Sequence, residues 1–325
     1  MTNNDKTLYT PLIDFNAYPL KDVLGILLQD KSTKSNIIYA TDTYTQAEPT
    51  AIATAPILSS QISGDFPTVH IVPRVQKTLD ERNGRTKTKA EVFTPSWIVN
   101  QMNNSLDEAW FDRKNVFNNE QGDHSWIPTK EVVEFPDTKK HGWHDYADSR
   151  RLEITCGEAP FLVSRYDATT GKILPINQRI GLLDRKLRII NERTEDDLMW
   201  WKWTLRAFQS VYGYEFQGDS LLIARANLLL TFVDHYRNRF NENPEKKRLR
   251  QIANIIAWNL WQMDGLNGTI PFHKPPVEGI GFDLLDLIHE TNESTEHDAP
   301  VLIRIYDWRA KKTLPYRQMI EGERL

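Results

Sequence analysis

Residues 151–162 read Arg-Leu-Glu-Ile-Thr-Cys-Gly-Glu-Ala-Pro-Phe-Leu, and no other stretch narrows the fold as far. Its start predicts a short strand. The strand runs into a tight turn holding Glu153, Thr155, Cys156 and Gly157, which climbs through Ala159 and Pro160 into apolar Phe161, Leu162 and Val163. An α/β sheet uses such a turn to bring backbone N–H groups and a helix N-terminus up to a small anionic ligand. A side chain at Gly157 would hold that ligand away from the backbone. The plainer reading is a buried strand ending in an ordinary turn, because a partial glycine motif is a weak match alone.

Bulk properties set the frame. A chain of 325 residues can bury one or two proper cores without staples. A single cysteine excludes an internal disulfide framework and fits a reducing, cytoplasmic setting. No apolar run approaches the ~20 residues of a membrane span, and the polar start lacks a signal-peptide core. A formal charge of −4 is not that of a small nucleic-acid-coating protein, so any such contact must come from local basic patches. Ten tryptophans, several beside charges, are expected mainly in packing.

Along the chain, residues 20–28 have apolar positions at helical spacing, and residues 37–40 predict a strand. Residues 47–64, rich in Ala, Ser, Thr and Pro, read as a loose connection. The main basic run follows: Arg74, Lys77, Arg82, Arg85, Lys87 and Lys89, opposed only by Asp80 and Glu81. A solvated surface helix is the ordinary explanation. The functional one is contact with phosphates of double-stranded DNA, each adding salt-dependent, sequence-blind affinity. Phe93-Thr94-Pro95 comes next and predicts a helix over residues 96–106, with Thr94 as cap. Residues 107–150 read as a polar, aromatic-studded bridge. Its His141 and His144 lack the partners a metal site needs, so no metal is expected.

Beyond the central turn, helices are predicted over residues 195–209 and 246–257. Strands are predicted at 211–215, ending in Glu215, at 258–264, ending in an Asp264-Gly265 turn, and at 301–308. An acid about 20 residues past a glycine loop holds ribose hydroxyls in nucleotide-binding α/β units. Glu215 lies 215 − 153 = 62 residues past Glu153, so the assignment requires an insertion, placed at about residues 165–209.

These pieces together resemble the amino-group (adenine-N6) DNA methyltransferases of restriction–modification systems, the proteins called restriction endonuclease subunit M. The first motif of that family, Asp-Pro-x-Cys-Gly-x-Gly-x-Phe-Leu, aligns without a gap. Glu153 falls on the acid, Cys156 and Gly157 on Cys-Gly, and Phe161 and Leu162 on Phe-Leu, while Ile154 and Ala159 depart from it. Phe-Thr-Pro ahead of the loop, Ala-Arg-x-Asn-Leu at residues 224–228 and Gln-Met-Asp-Gly at 262–265 fall in the family's order, which implies a helix over residues 221–230. The resemblance spans residues 20–308. It implies S-adenosylmethionine as cofactor, held by Phe93, Thr94, Pro95, Glu153, Thr155, Cys156, Gly157, Glu215 and Asp264, with Asp264 accepting from the adenine amino group.

The implied fold is an incomplete Rossmann-like, S-adenosylmethionine-dependent methyltransferase core over residues 90–325, behind an N-terminal α+β extension at 1–89 carrying the basic segment. Methylating an exocyclic amine also needs acceptors for its protons, which adenine-N6 enzymes supply with Asn/Asp-Pro-Pro-aromatic. Lys274-Pro275-Pro276-Val277 lacks the acceptor and the ring, and Asp307-Trp308 has an acid and a ring without the prolines. Asp307 and Trp308 are therefore only weak catalytic candidates. A partner, a second methyltransferase or restriction subunit, is expected to supply the missing half, docking at the strand edge of residues 301–308. The alternative is a non-catalytic DNA-binding or assembly subunit with a degenerate methyltransferase fold.

Overall fold

The computed structural model describes residues 11–89, 94–136, 141–273 and 303–316, with the side chains of 87–89 also outside it. Three helices open the chain: α1 (Leu20–Leu28), the single turn α2 (Ser59–Ile62) and the basic α3 (Leu79–Lys89). After Pro95 comes α4 (Ser96–Phe111), stopped where Asp112 turns left-handed at φ 51°. A hairpin of β1 (Asn118–Glu120) and β2 (Trp126–Pro128) leads to α5 (Trp143–Ala147) and β3 (Arg151–Glu153). Helices α6 (Leu182–Arg193) and α7 (Asp197–Gln209) fill the long interval before β4 (Val211–Glu215). The Asp196 carboxylate caps α7 by accepting from Met199 N–H at 2.8 Å. Then follow α8 (Gly218–Phe240), α9 (Lys246–Asn259), β5 (Leu260–Gln262) and a hairpin of β6 (Arg304–Asp307) with β7 (Lys312–Pro315).

The architecture is mixed α/β around a small parallel sheet, ordered β3-β4-β5. Helix α8 is the pillar behind it. Leu221, Leu222, Ile223, Ala224, Ala226, Leu228 and Leu229 are all buried, and a helix apolar all round has to sit inside. Helix α9 is amphipathic instead, burying Leu249, Ile252, Ala253 and Ile256 on one stripe. Each such Leu or Ile contributes about 1.5–3 kcal/mol by leaving water. The N-terminal residues share this core: Ile13, Phe15, Leu24, Leu27 and Ile71 belong to one cluster with Leu222, Phe232 and Ile256. Among the described residues no helix is long and apolar enough to cross a membrane.

Arg225, wholly buried in α8, ties these elements together. It donates to the carbonyls of Leu27 (2.5 Å) and Gln29 (3.0 Å) at the end of α1. It also donates to Leu260 (2.6 Å) and Ala257 (3.4 Å) at the end of α9. Two helix C-termini, each with orphan carbonyls and negative dipole ends, meet on one guanidinium. Burial lowers its pKa to about 10, opposed by the charge of Asp30.

Two expectations are corrected. Residues 37–40 do not form a strand, because Ala40 turns left-handed at φ 53° and only Ile38 bridges, to Pro56. That segment instead crosses the start of α8, where Gly218 N–H donates to Tyr39 O at 3.1 Å. A Cβ on Gly218 would stand 1.9 Å from Ile38 O, so only glycine admits the crossing. Thr94 does not cap α4, which starts directly after Pro95 without a side-chain cap. Of the strand expected to dock a partner, one edge is taken by β7 in a two-stranded hairpin; Val301 and Leu302 lie outside the described residues.

Removing the common cap tests the fold directly. Arg225→Ala strands several buried carbonyls, each costing about 1–3 kcal/mol, so the loss in stability should reach about 3–5 kcal/mol. Urea unfolding at neutral pH should show the lowered midpoint.

Candidate functional site

The carboxyl ends of the three parallel strands bring two acids and one turn together. Glu153 closes β3 and Glu215 closes β4, next to it in the sheet. The turn after β3 is built from alternating left-handed residues, Thr155 (φ 46°), Gly157 (φ 53°) and Ala159 (φ 62°). Such alternation points successive N–H groups into a concavity. Cys156 N–H goes to Tyr214 O at 2.8 Å and locks the turn onto β4. Gly213 permits this close packing, since a Cβ there would lie 3.2 Å from Cys156 Sγ.

The concavity does not offer its donors to an anion. Gly157 N–H donates to Glu215 Oε2 at 2.8 Å. Phe161 and Leu162 N–H donate to Glu153 at 3.3 and 3.2 Å. The protein's own carboxylates have taken these positions, which corrects the anion-cradle expectation and reverses the site's chemistry. The outcome is a cluster of acceptors. A carboxylate has about four lone-pair positions. Glu215 accepts from Gly157 N–H and from Gln217 N–H at 3.1 Å, and the Phe216 N–H also helps to hold its charge.

Burial pushes the Glu153 carboxyl up to about 8, with the Glu215 charge adding to it against the two N–H bonds. Burial also raises Glu215, while the N–H groups of Gln217 and Gly157 pull it back and the Asp219 charge raises it further. Burial, and then the charges of Glu153 and Glu215, raise the Cys156 thiol well above its ordinary value and favour its protonated form.

Asp264 lies two residues past β5, on the same side of the sheet, but its carboxylate serves its own turn. It accepts from Leu266 N–H (2.9 Å), Asn267 N–H (3.3 Å) and Asn267 Nδ2 (2.8 Å). Thr94 and Pro95 are half-buried at the entry to α4, whose Ser96 Oγ holds Ala168 N–H at 3.0 Å. Phe93 lies outside the described residues.

The basic run divides. Lys77 and Arg85 are buried, with their cations on Asp219, so they are not the surface phosphate contacts the charge pattern suggested. Arg74 is half-buried and reaches Thr86 Oγ1 at 3.0 Å, and Arg82 is half-buried. The side chains of Lys87 and Lys89 lie outside the described residues.

Asp307 and Trp308 sit at the other end of the sheet. Trp308 Nε1 donates to Asn259 Oδ1 (2.7 Å), and Asn259 Nδ2 donates to Val211 O (2.9 Å), at the first residue of β4. Asp307 accepts from Arg309 and Ala310 N–H in its own turn. Neither reaches Glu153 or Glu215, so the weak catalytic assignment is corrected. His141 meets Trp110 edge-on and His144 lies tilted against Trp203, and among the described residues no cluster of three metal-binding side chains forms.

Two features had no sequence signal. Phe216, directly after Glu215, meets Phe272 edge-on at 5.6 Å, placing an aromatic pair beside the acid. Gln262 holds the Ile38 backbone by both ends, accepting from its N–H (2.9 Å) and donating to its carbonyl (2.8 Å). No family model, curated protein or solved structure matches this chain.

The raised Glu153 acid has a measurable signature. Its folded form keeps a proton that the unfolded chain releases, so stability should fall as pH rises from about 4.5 to about 8 and level off above. Thermal melts across that window should show the slope, and Glu153→Gln should remove its share.

Proposed function

We propose that this chain binds S-adenosylmethionine at the carboxyl ends of β3 and β4 and serves as a modification subunit in DNA adenine-N6 methylation. One observation carries the reading. The site presents acceptors, with the N–H groups of Gly157, Phe161 and Leu162 spent on Glu153 and Glu215. A phosphate-bearing cofactor would meet the oxygens of two acids there, Glu215 and the more easily protonated Glu153. A ligand that carries hydroxyls and positive charge fits, and a sulfonium donor with a ribose and an ammonium group has both. The parallel order β3-β4-β5 and the Phe216–Phe272 rings beside Glu215 support the same ligand, the rings offering a face for a purine. In this reading Glu215 takes the ribose hydroxyls and Glu153 faces the cationic end.

The reading assigns double-stranded DNA to the surface that carries Arg74 and Arg82, without Lys77 and Arg85. It assigns the amine acceptor and stacking ring to a partner polypeptide, because these residues contain no Asn/Asp-Pro-Pro-aromatic sequence. Asp264, folded into its own turn, favours a second reading: an assembly subunit whose donor pocket no longer works.

Calorimetry separates the two. On the donor reading S-adenosylmethionine binds, and Glu215→Ala weakens it by about 1.5–3 kcal/mol, the range for hydrogen bonds to a charged group. Affinity should rise with pH up to about 8, because a cationic ligand displaces the Glu153 proton. The apparent enthalpy should accordingly shift with the ionisation heat of the buffer. No heat at millimolar ligand leaves the assembly reading.

The second expectation concerns catalysis. With no positioned acceptor the purified chain should not methylate unmodified DNA, since losing one such contact costs ~100-fold or more in rate. Labelled donor and unmethylated DNA provide the assay. Robust adenine labelling by the chain alone would defeat the split-enzyme assignment.

A further inference from the structure

Lys77 and Arg85 belong to a basic run that charge pattern alone puts at the surface, yet both side chains point inward to one carboxylate. Asp219, in the first turn of α8, has no solvent exposure. Arg85 grips it with both terminal nitrogens, at 2.8 and 3.1 Å. Tyr44 O–H donates to it at 2.8 Å, and Lys77 Nζ stands at 3.4 Å. Burial would raise this acid, but the Lys77 and Arg85 charges hold it far below the usual carboxylate range.

The same guanidinium reaches one step further. Arg85 Nη2 also donates to Gln217 Oε1, and Gln217 N–H donates to Glu215 Oε1 at 3.1 Å. Glu215 is thus held from two directions. Gly157 fixes one oxygen from the β3 turn, and Gln217, itself gripped from α3, fixes the other. We propose that Arg85 is a positioning residue for the donor site: its fork onto Asp219 and Gln217 sets the turn between β4 and α8, and the turn aims Glu215 at the ribose hydroxyls of the ligand. The proposal rests on the donor reading above and adds a residue that does not touch the ligand. Geometry explains the choice of arginine. A planar guanidinium bridges a carboxylate and an amide oxygen at once, whereas a lysine is a point charge.

The test uses the full chain and a pair of neutral probes, adenosine and 2′,3′-dideoxyadenosine, which differ only in the hydroxyls Glu215 would hold. The wild type should prefer adenosine by about tenfold or more, the value of a hydrogen bond to a charged acceptor. Two mild variants keep the Asp219 carboxylate partnered while cutting the step to the turn. Arg85→Lys retains the charge but cannot fork, and Gln217→Ala deletes the acceptor. In both, the preference should shrink toward unity while affinity for the dideoxy probe stays nearly unchanged. An undiminished preference in both variants overturns the role of Arg85 and leaves the donor reading standing. Equal weakening of both probes also overturns it, because a merely structural contact would act that way. A wild type that binds neither probe, or both alike, brings down the donor reading and the positioning role with it.

Discussion

A single buried cation, with no carboxylate among the described residues within hydrogen-bonding reach, holds the principal elements in register. Arg225 donates only to backbone carbonyls, at the ends of α1 and α9 and at the start of β5. Its charge is therefore spread over helix termini, which are the partial negative poles of the molecule. This fixes where α1 stops relative to α9, and hence where the N-terminal segment lies relative to the sheet. The crossing of residues 38–39 over Gly218 and the grip of Gln262 on Ile38 follow from that placement. So does the approach of Tyr44 to Asp219.

At the other side of the sheet, polarity organises the site. Parallel strands gather carboxyl ends, and this chain puts an acid at two adjacent ones. Buried acids need hydrogen-bond donors. The left-handed turn at Thr155, Gly157 and Ala159 supplies them, and the donor surplus of an ordinary phosphate loop is consumed internally. Sequence shows the loop but not this inversion. The motif looks alike whether its N–H groups face outward or onto neighbouring acids, and the difference decides what sign of ligand is welcome.

Apolar spacing carried β4 and α9 well because it is local, whereas α8 was reached through the Ala-Arg-x-Asn-Leu resemblance, over residues 221–230 of its Gly218–Phe240 span. It also located the turn after β3. The failures share a cause. The inward course of Lys77 and Arg85 depends on Asp219, more than a hundred residues away in sequence, and a charge run gives no hint of a buried counter-ion. Residues 37–40 have strand-like composition, yet their partners are a glutamine and a glycine from the far end of the chain. Asp307 and Trp308 look like reaction chemistry in sequence, but they pack at the amino-terminal end of the strands, where tertiary contacts alone could place them. Phe216 and Phe272 likewise become a pair only through the sheet.

The Gln262–Ile38 grip spans 224 residues, the Arg225–Leu27 bond 198 and the Tyr44–Asp219 bond 175. During synthesis the amino-terminal residues leave the ribosome long before any of these partners exist. Helix α1 must therefore wait with its last carbonyls in water and its apolar stripe uncovered until α8, α9 and β5 have been made. Loops of that length close slowly, and the exposed interval favours capture by chaperones or by another nascent chain. This early-made segment is thus among the last to be built in, and mutations that loosen its three long-range anchors should act first on folding yield in the cell.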